Sequence, residues 1–188
     1  MPNTTKPPAP LKPLRGVRVL SLALNLPGPA ALMRLQALGA TCSKVEPPAG
    51  DPMGLYRRKA YEALHQGIKV FGADLRLDAG QKAVHKELAR ADVFLTSFRP
   101  SALRKLGMDW ATLRKAYPGL SQIDIAGSRG DRAEEPGHDL TYMAEHGLVT
   151  GMDLPPSLFA DMGGSLMAVE AVLGALLRQR TTGKGSHV

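Results

Sequence analysis

The chain has 188 residues, 44% of them hydrophobic, and 24 Lys and Arg against 17 Asp and Glu give a formal charge of +7. That length and apolar content fit one globular domain, or part of a larger one, with a real core. A single cysteine excludes an internal disulfide and a cysteine-built metal site, and 5% aromatic content with scattered basic residues leaves no stacking surface for nucleic acid.

Residues 2–13 hold five prolines and little that packs, so residues 1–13 read as a disordered Pro-rich arm and the domain is placed at 14–188. The start lacks the apolar centre of a secretory signal, and charges break the apolar runs short of the ~18 residues of a membrane span, so the expectation is no membrane segment and a cytoplasmic protein. Val17–Leu22 then reads as a strand, Pro29–Leu38 as a helix stopped by Gly39, and Thr41–Glu46 as a second strand in which Cys42 is an ordinary buried residue. Ile68–Leu75, Asp92–Phe98 and Leu120–Gly127 continue the strands. Between them lie helical patterns at Asp78–Ala91, around Ala102–Leu106 and at Asp109–Ala116. This alternation is an α/β pattern, a mostly parallel sheet with helices on both faces. A helical spacing follows His138-Asp139, and Ser165–Arg180 is a long apolar helix that must be buried. The closing TTGKGSHV is a turn of the kind that feeds another sheet strand.

There is no G-x-G-x-x-G after the first strand, no phosphate loop G-x-x-x-x-G-K-[ST] and no G-x-S-x-G elbow, which speaks against NAD, P-loop and serine-hydrolase chemistry. His138 and His146 could align on one helix, but without a carboxylate ligand they make no metal case, and no metal is expected. The stretch with most chemistry is PGHDLTYMAEHGL followed by ADMGGSLMAVEAVLGALL. Asp161 stands before Gly163-Gly164, where glycines let backbone N–H groups approach a ligand in the positive field of a helix start. Docked there, a thioester carbonyl losing its α-proton would have its enolate oxygen met by the N–H groups of Met162, Gly163 and Gly164, at roughly 3 kcal/mol per well-placed donor. His138 and Asp161 would be the two bases, with Asp139 orienting or capping locally. By spacing alone the same residues read first as plain N-caps and close packing.

In order along the chain, PLRGVRVLSLA, PGP, LGATCSKVEPPAGDPM, ADVFLTSFRPSALRKLGMDWATLRKAYPGL, PGHDLTYMAEHGL, ADMGGSLMAVEAVLGALL and TTGKG resemble the class III coenzyme A transferases, the CaiB/BaiF type, and within them the α-methylacyl-CoA racemases. The resemblance covers about residues 14–188. It implies an open, Rossmann-like sheet joined in the family to a smaller domain, so the chain is expected to stop before that domain. It also implies an acyl-CoA substrate, coenzyme A as part of that substrate rather than a bound cofactor, and a place in lipid metabolism. As partner it implies a homodimer or a chain supplying the missing C-terminal half. The family's transferases tend to carry Tyr at the position of His138 and use the aspartate matching Asp161 as a nucleophile. The racemases carry Gly-His-Asp, so His138 tilts the expectation to 1,1-proton transfer. The alternatives are a transferase working through an aspartyl anhydride, and an inactive truncated paralogue or split-enzyme subunit. Arg99 in FRP, and Lys69 as the basic remnant of the stretch before the third strand, are carried over as coenzyme A contacts. Ser21 replaces the family's usual acidic residue, and SRGDRAEEPG its Gly-Gln-x-Gly-Pro turn.

Overall fold

Five short segments form the strands of one sheet: β1 (Arg18–Ser21), β2 (Thr41–Glu46), β3 (Lys69–Gly72), β4 (Val93–Thr96) and β5 (Ser121–Asp124). The computed structural model describes residues 11–188, so positions 1–10 of the expected arm lie outside the described residues. The order in space is β3-β2-β1-β4-β5, and every neighbouring pair is parallel. The third and fifth strands are shorter than the sequence pattern implied. β3, for instance, follows β2 only from Ser43↔Lys69 to Glu46↔Gly72.

The helices are α1 (Pro27–Ala37), α2 (Met53–Tyr56), α3 (Arg58–Leu64), α4 (Asp78–Leu88), α5 (Pro100–Lys105), α6 (Trp110–Ala116), α7 (Asp139–Glu145) and α8 (Phe159–Thr182). Strand alternation sends Val19, Val93 and Leu95 to one face, where α1 and α8 cover them with Leu32, Leu35, Val172 and Leu176. It sends Leu20 and Phe94 to the other, against Val84, Leu88, Leu103 and Leu113 of α4, α5 and α6. Helices on both faces of a parallel sheet are the α/β architecture that the periodicity indicates. Leu14 is buried, and its N–H donates to the Leu38 carbonyl at 3.0 Å, tying the turn at residues 13–16 to the end of α1. Burial raises the Cys42 thiol to about 12, so it is an unreactive core group.

The sequence places the start of the last helix at Ser165, and the structure corrects this: α8 begins at Phe159 and holds Asp161, Gly163 and Gly164 inside it. Glycine is a poor helix former, which made the Gly-Gly pair read as a boundary. Packing along α1 and the sheet overrides that cost. By length and composition α8 could cross a membrane, although Glu170 and Arg178 break its apolar run as expected. Its inner stripe of Ser165, Ala168, Val169, Val172, Ala175 and Leu176 is nevertheless buried in the protein's own core. Gly183, at φ 69°, ends the helix. Beyond it the chain runs beside β5: the Gln122 N–H donates to Ser186 O at 2.8 Å and the Asp124 N–H to Val188 O at 2.9 Å. The predicted continuation of the sheet after the Gly-Lys-Gly turn therefore begins within this chain.

Candidate active site

In a parallel sheet of this order the direction in which strands are added reverses between β1 and β4, and the carboxyl ends of those strands open a crevice at that switch point. The two loops meet there: the Leu24 N–H donates to Ser97 Oγ at 3.4 Å. α1 and α8 both start at this edge and pack side by side, which brings the loop after β1 next to the start of α8. Gly28 sits where α1 turns back over the strand end; a Cβ there would lie 2.2 Å from Ala23 Cβ, so only glycine fits.

At the same edge the starts of α7 and α8 are pinned together. Asp139, 5% exposed, accepts the Asp161 N–H on Oδ1 at 2.9 Å, satisfying one of the orphan donors of the α8 first turn. His138 is the N-cap residue of α7 and is exposed, with its N–H donating to Thr141 Oγ1 at 3.3 Å. Burial first, and the charge of Asp139 second, raise the Asp161 carboxyl above its ordinary value, while His138 acts in the opposite direction. His138, Asp139 and Asp161 thus share one environment. The expected donors do not survive in that form. The Met162 N–H already donates to Leu158 O at 3.0 Å, and Gly163 and Gly164 lie a turn inside the helix, where N–H groups bond to carbonyls four residues back. What the two glycines provide is space, since a Cβ at either would meet nothing within 4 Å.

Two tyrosines that sequence reasoning did not single out feel the Asp161 charge. Tyr142 of α7 lays its ring over the loop before it; a Cβ on Gly127 would lie 1.9 Å, and one on Gly137 2.5 Å, from its hydroxyl oxygen. Tyr56 of α2 is exposed, and its O–H donates to Asn25 Oδ1 at 3.3 Å. Asn25 has φ 61°, a left-handed conformation that asparagine tolerates better than most residues.

Behind Asn25 lies a buried charged cage. The side chain of Lys44 in β2 is 0% exposed. Its ammonium donates to Asp51, to Glu46 Oε1 at 3.0 Å and to His65 Nε2 at 3.0 Å, three donors for three acceptors. Both Asp51 oxygens accept the Asn25 N–H at 3.1 Å, and Tyr61 donates its O–H to Glu46 Oε1 at 2.9 Å. Glu46, Asp51 and His65 bring ligand atoms within 4.8 Å of one another, a spacing that suits a metal ion, and Lys44 is the cation bonded to all three. His146, by contrast, turns its Nδ1 to the Tyr142 carbonyl at 2.8 Å.

Because an ammonium only donates, His65 accepts on Nε2 and carries its proton on Nδ1, 2.7 Å from the Tyr61 carbonyl oxygen. Burial pushes its pKa below the ordinary 6.5; the Tyr61 bond opposes this and the Lys44 charge adds to it. The unfolded chain therefore takes up a proton that the fold resists. Stability present above about pH 6.5 is lost as the pH falls through the folded value. The melting temperature should drop between about pH 7 and about pH 5, and His65→Gln should flatten that slope in a calorimetric series; an unchanged slope counts against this role.

The two expected coenzyme A contacts part company. Arg99 follows the carboxyl end of β4 as the exposed N-cap residue of α5, on the crevice side. Lys69 opens β3, at the amino end of the sheet, and pairs with Glu87 at 3.5 Å. The structure therefore does not bring Lys69 to the crevice, because strand direction puts it at the opposite edge. Arg76, which the sequence reading passed over, lies on the correct side. It helps line a cleft of about 460 Å³ whose walls include Leu22, Val45, Leu75, Phe98 and Leu106.

Comparison with known proteins agrees with the parallel α/β fold. The profile of CoA-transferase family III matches residues 14–188. The cinnamoyl-CoA:phenyllactate CoA-transferase of Clostridium sporogenes is 32% identical over 92% of this chain and 47% of its own length. The succinyl-CoA:glutarate CoA-transferase of Mus musculus is 30% identical over 95% of this chain and 45% of its own. A crystal structure of a CAIB/BAIF family protein from Brucella suis superposes with a TM-score of 0.86 at 31% identity, covering 95% of this chain and 52% of that one. The chain spans about half the length of the curated relatives it matches.

Proposed function

The chain belongs to CoA-transferase family III, and from that premise we propose that it moves coenzyme A between carboxylic acids with Asp161 as the nucleophile. The observation that carries this reading is the setting of Asp161. It is a half-buried carboxylate of raised basicity at a helix start, with open space over the two glycines that follow it. In the proposed cycle the Asp161 carboxylate attacks the thioester carbonyl, forming an acyl anhydride and releasing the coenzyme A thiolate. The thiolate attacks the aspartyl carbonyl, giving an Asp161 thioester and the free donor acid. The acceptor carboxylate then repeats the two steps in reverse and leaves as its own thioester. The cleft beside Phe98 and Leu75, with Arg76 at its side and Arg99 following β4, suits the flat base and the phosphates of the nucleotide end. The relatives named above are CoA-transferases, which supports the same reading. The segment corresponding to their second halves, on this or another chain, would close the crevice against water.

A second reading is 1,1-proton transfer at the α-carbon, with His138 and Asp161 as the two bases; the exposed imidazole beside Asp161 favours it. The test is to supply an acyl-CoA and a second, labelled carboxylic acid to the protein in its native assembly. Under the transferase reading, label enters the thioester pool, hydroxylamine traps a hydroxamate on the Asp161 peptide, and His138→Ala still transfers. Exchange of the α-proton with deuterium and no label transfer would replace this reading with racemisation.

A further inference from the structure

Tyr56 is 63% exposed, yet its hydroxyl is positioned from the interior. Its O–H points at Asn25 Oδ1, the Asn25 N–H is held by both oxygens of Asp51, and Asp51 is clamped by the Lys44 ammonium. Asn25, Asp51 and Lys44 thus fix one surface phenol in series, an arrangement that costs desolvation and fits a preorganised ligand contact. With its proton directed to Asn25, Tyr56 turns its oxygen lone pairs outward. Burial, Asp51 and Asp161 all raise the phenol's pKa, so it remains a neutral acceptor. Asp161 and Asp139 are acceptors as well. A group seated between Tyr56 and Asp161 must bring a hydrogen-bond donor, and a second carboxylate there would be repelled.

We propose that Tyr56 is a specificity-determining residue that accepts a hydrogen bond from a hydroxyl near the thioester end of the acyl chain, so that the site selects hydroxyacyl over plain and dicarboxylic acyl groups. This rests on the reading that acyl-CoA thioesters bind at Asp161.

The test is calorimetric binding of lactoyl-CoA, propionyl-CoA and succinyl-CoA to the protein in its native assembly; the first two differ only in the hydroxyl. Lactoyl-CoA should bind up to about tenfold tighter than propionyl-CoA, the net size of one hydrogen bond, and succinyl-CoA weakest. Tyr56→Phe, an exposed change that leaves the core intact, should bring the lactoyl-to-propionyl ratio to about one. Equal affinities in the wild type, a preference that survives Tyr56→Phe, or tightest binding of succinyl-CoA overturns the proposal while leaving acyl-CoA chemistry at Asp161 in place. Binding of none of the three overturns both.

Discussion

Asp161→Asn is expected to lower turnover at least about a thousandfold and at the same time to raise the melting temperature. The first effect follows in either chemistry, since an amide neither attacks a thioester nor accepts its α-proton. The second follows from the cost of the native charge. Burial and the neighbouring Asp139 raise the Asp161 carboxyl, so the fold disfavours its ionised form. For a carboxyl raised on folding, this destabilisation is present at pH values above the folded pKa and is relieved as the pH falls through it. Asparagine keeps the shape and removes the charge, and the backbone N–H bonded to Asp139 is untouched. Calorimetry at neutral pH should give a higher melting temperature for the variant, and the gap should close on acidification. A variant that melts lower than the wild type would show that the charge is compensated in the fold.

Lys44→Met has the largest expected effect on stability. It keeps most of the bulk of a fully buried side chain but leaves Glu46 and Asp51 buried without their cation. Removing one partner of a buried ionic cluster costs about 3–5 kcal/mol, which lowers the melting temperature of a chain this size by on the order of 10 °C. Adding Glu46→Gln and Asp51→Asn to Lys44→Met should restore part of the loss, because the uncompensated charges rather than a packing defect are responsible. Urea unfolding of the single and triple variants measures both values; a triple variant no more stable than the single one would sink this account.

Much of the fold was legible because alternation and helical spacing report burial directly. Val19 and Leu20 in β1, and Val93, Phe94 and Leu95 in β4, send successive side chains to opposite layers, and both layers are apolar. α2 and α3 were not legible: α2 is a single turn of four residues and α3 buries none of its residues. His138, Asp139 and Asp161 could be picked from motif, and the structure brings them into one environment. The edge of the sheet that a residue occupies is a matter of strand direction, so Lys69 looked as eligible as Arg99. Lys44 did carry a signal, a lysine and a glutamate within an otherwise buried strand, but identifying their partners Asp51 and His65 required the tertiary fold. Tyr56 had none, since its relation to Asn25 and Asp161 arises only when α2 and the loop after β1 meet.

The central place of β1 has a kinetic consequence. Its neighbour β2 is synthesised soon after it, but its other neighbour, β4, is far away in the chain: the Arg18 N–H bonds the Asp92 carboxylate across a separation of 74 residues. While the chain is growing, β1, β2 and β3 can assemble with one flank of β1 still unsatisfied, and closing so long a loop is slow. The nascent protein therefore passes through a stage in which one edge of β1 stays unpaired until Val93–Thr96 emerges from the ribosome.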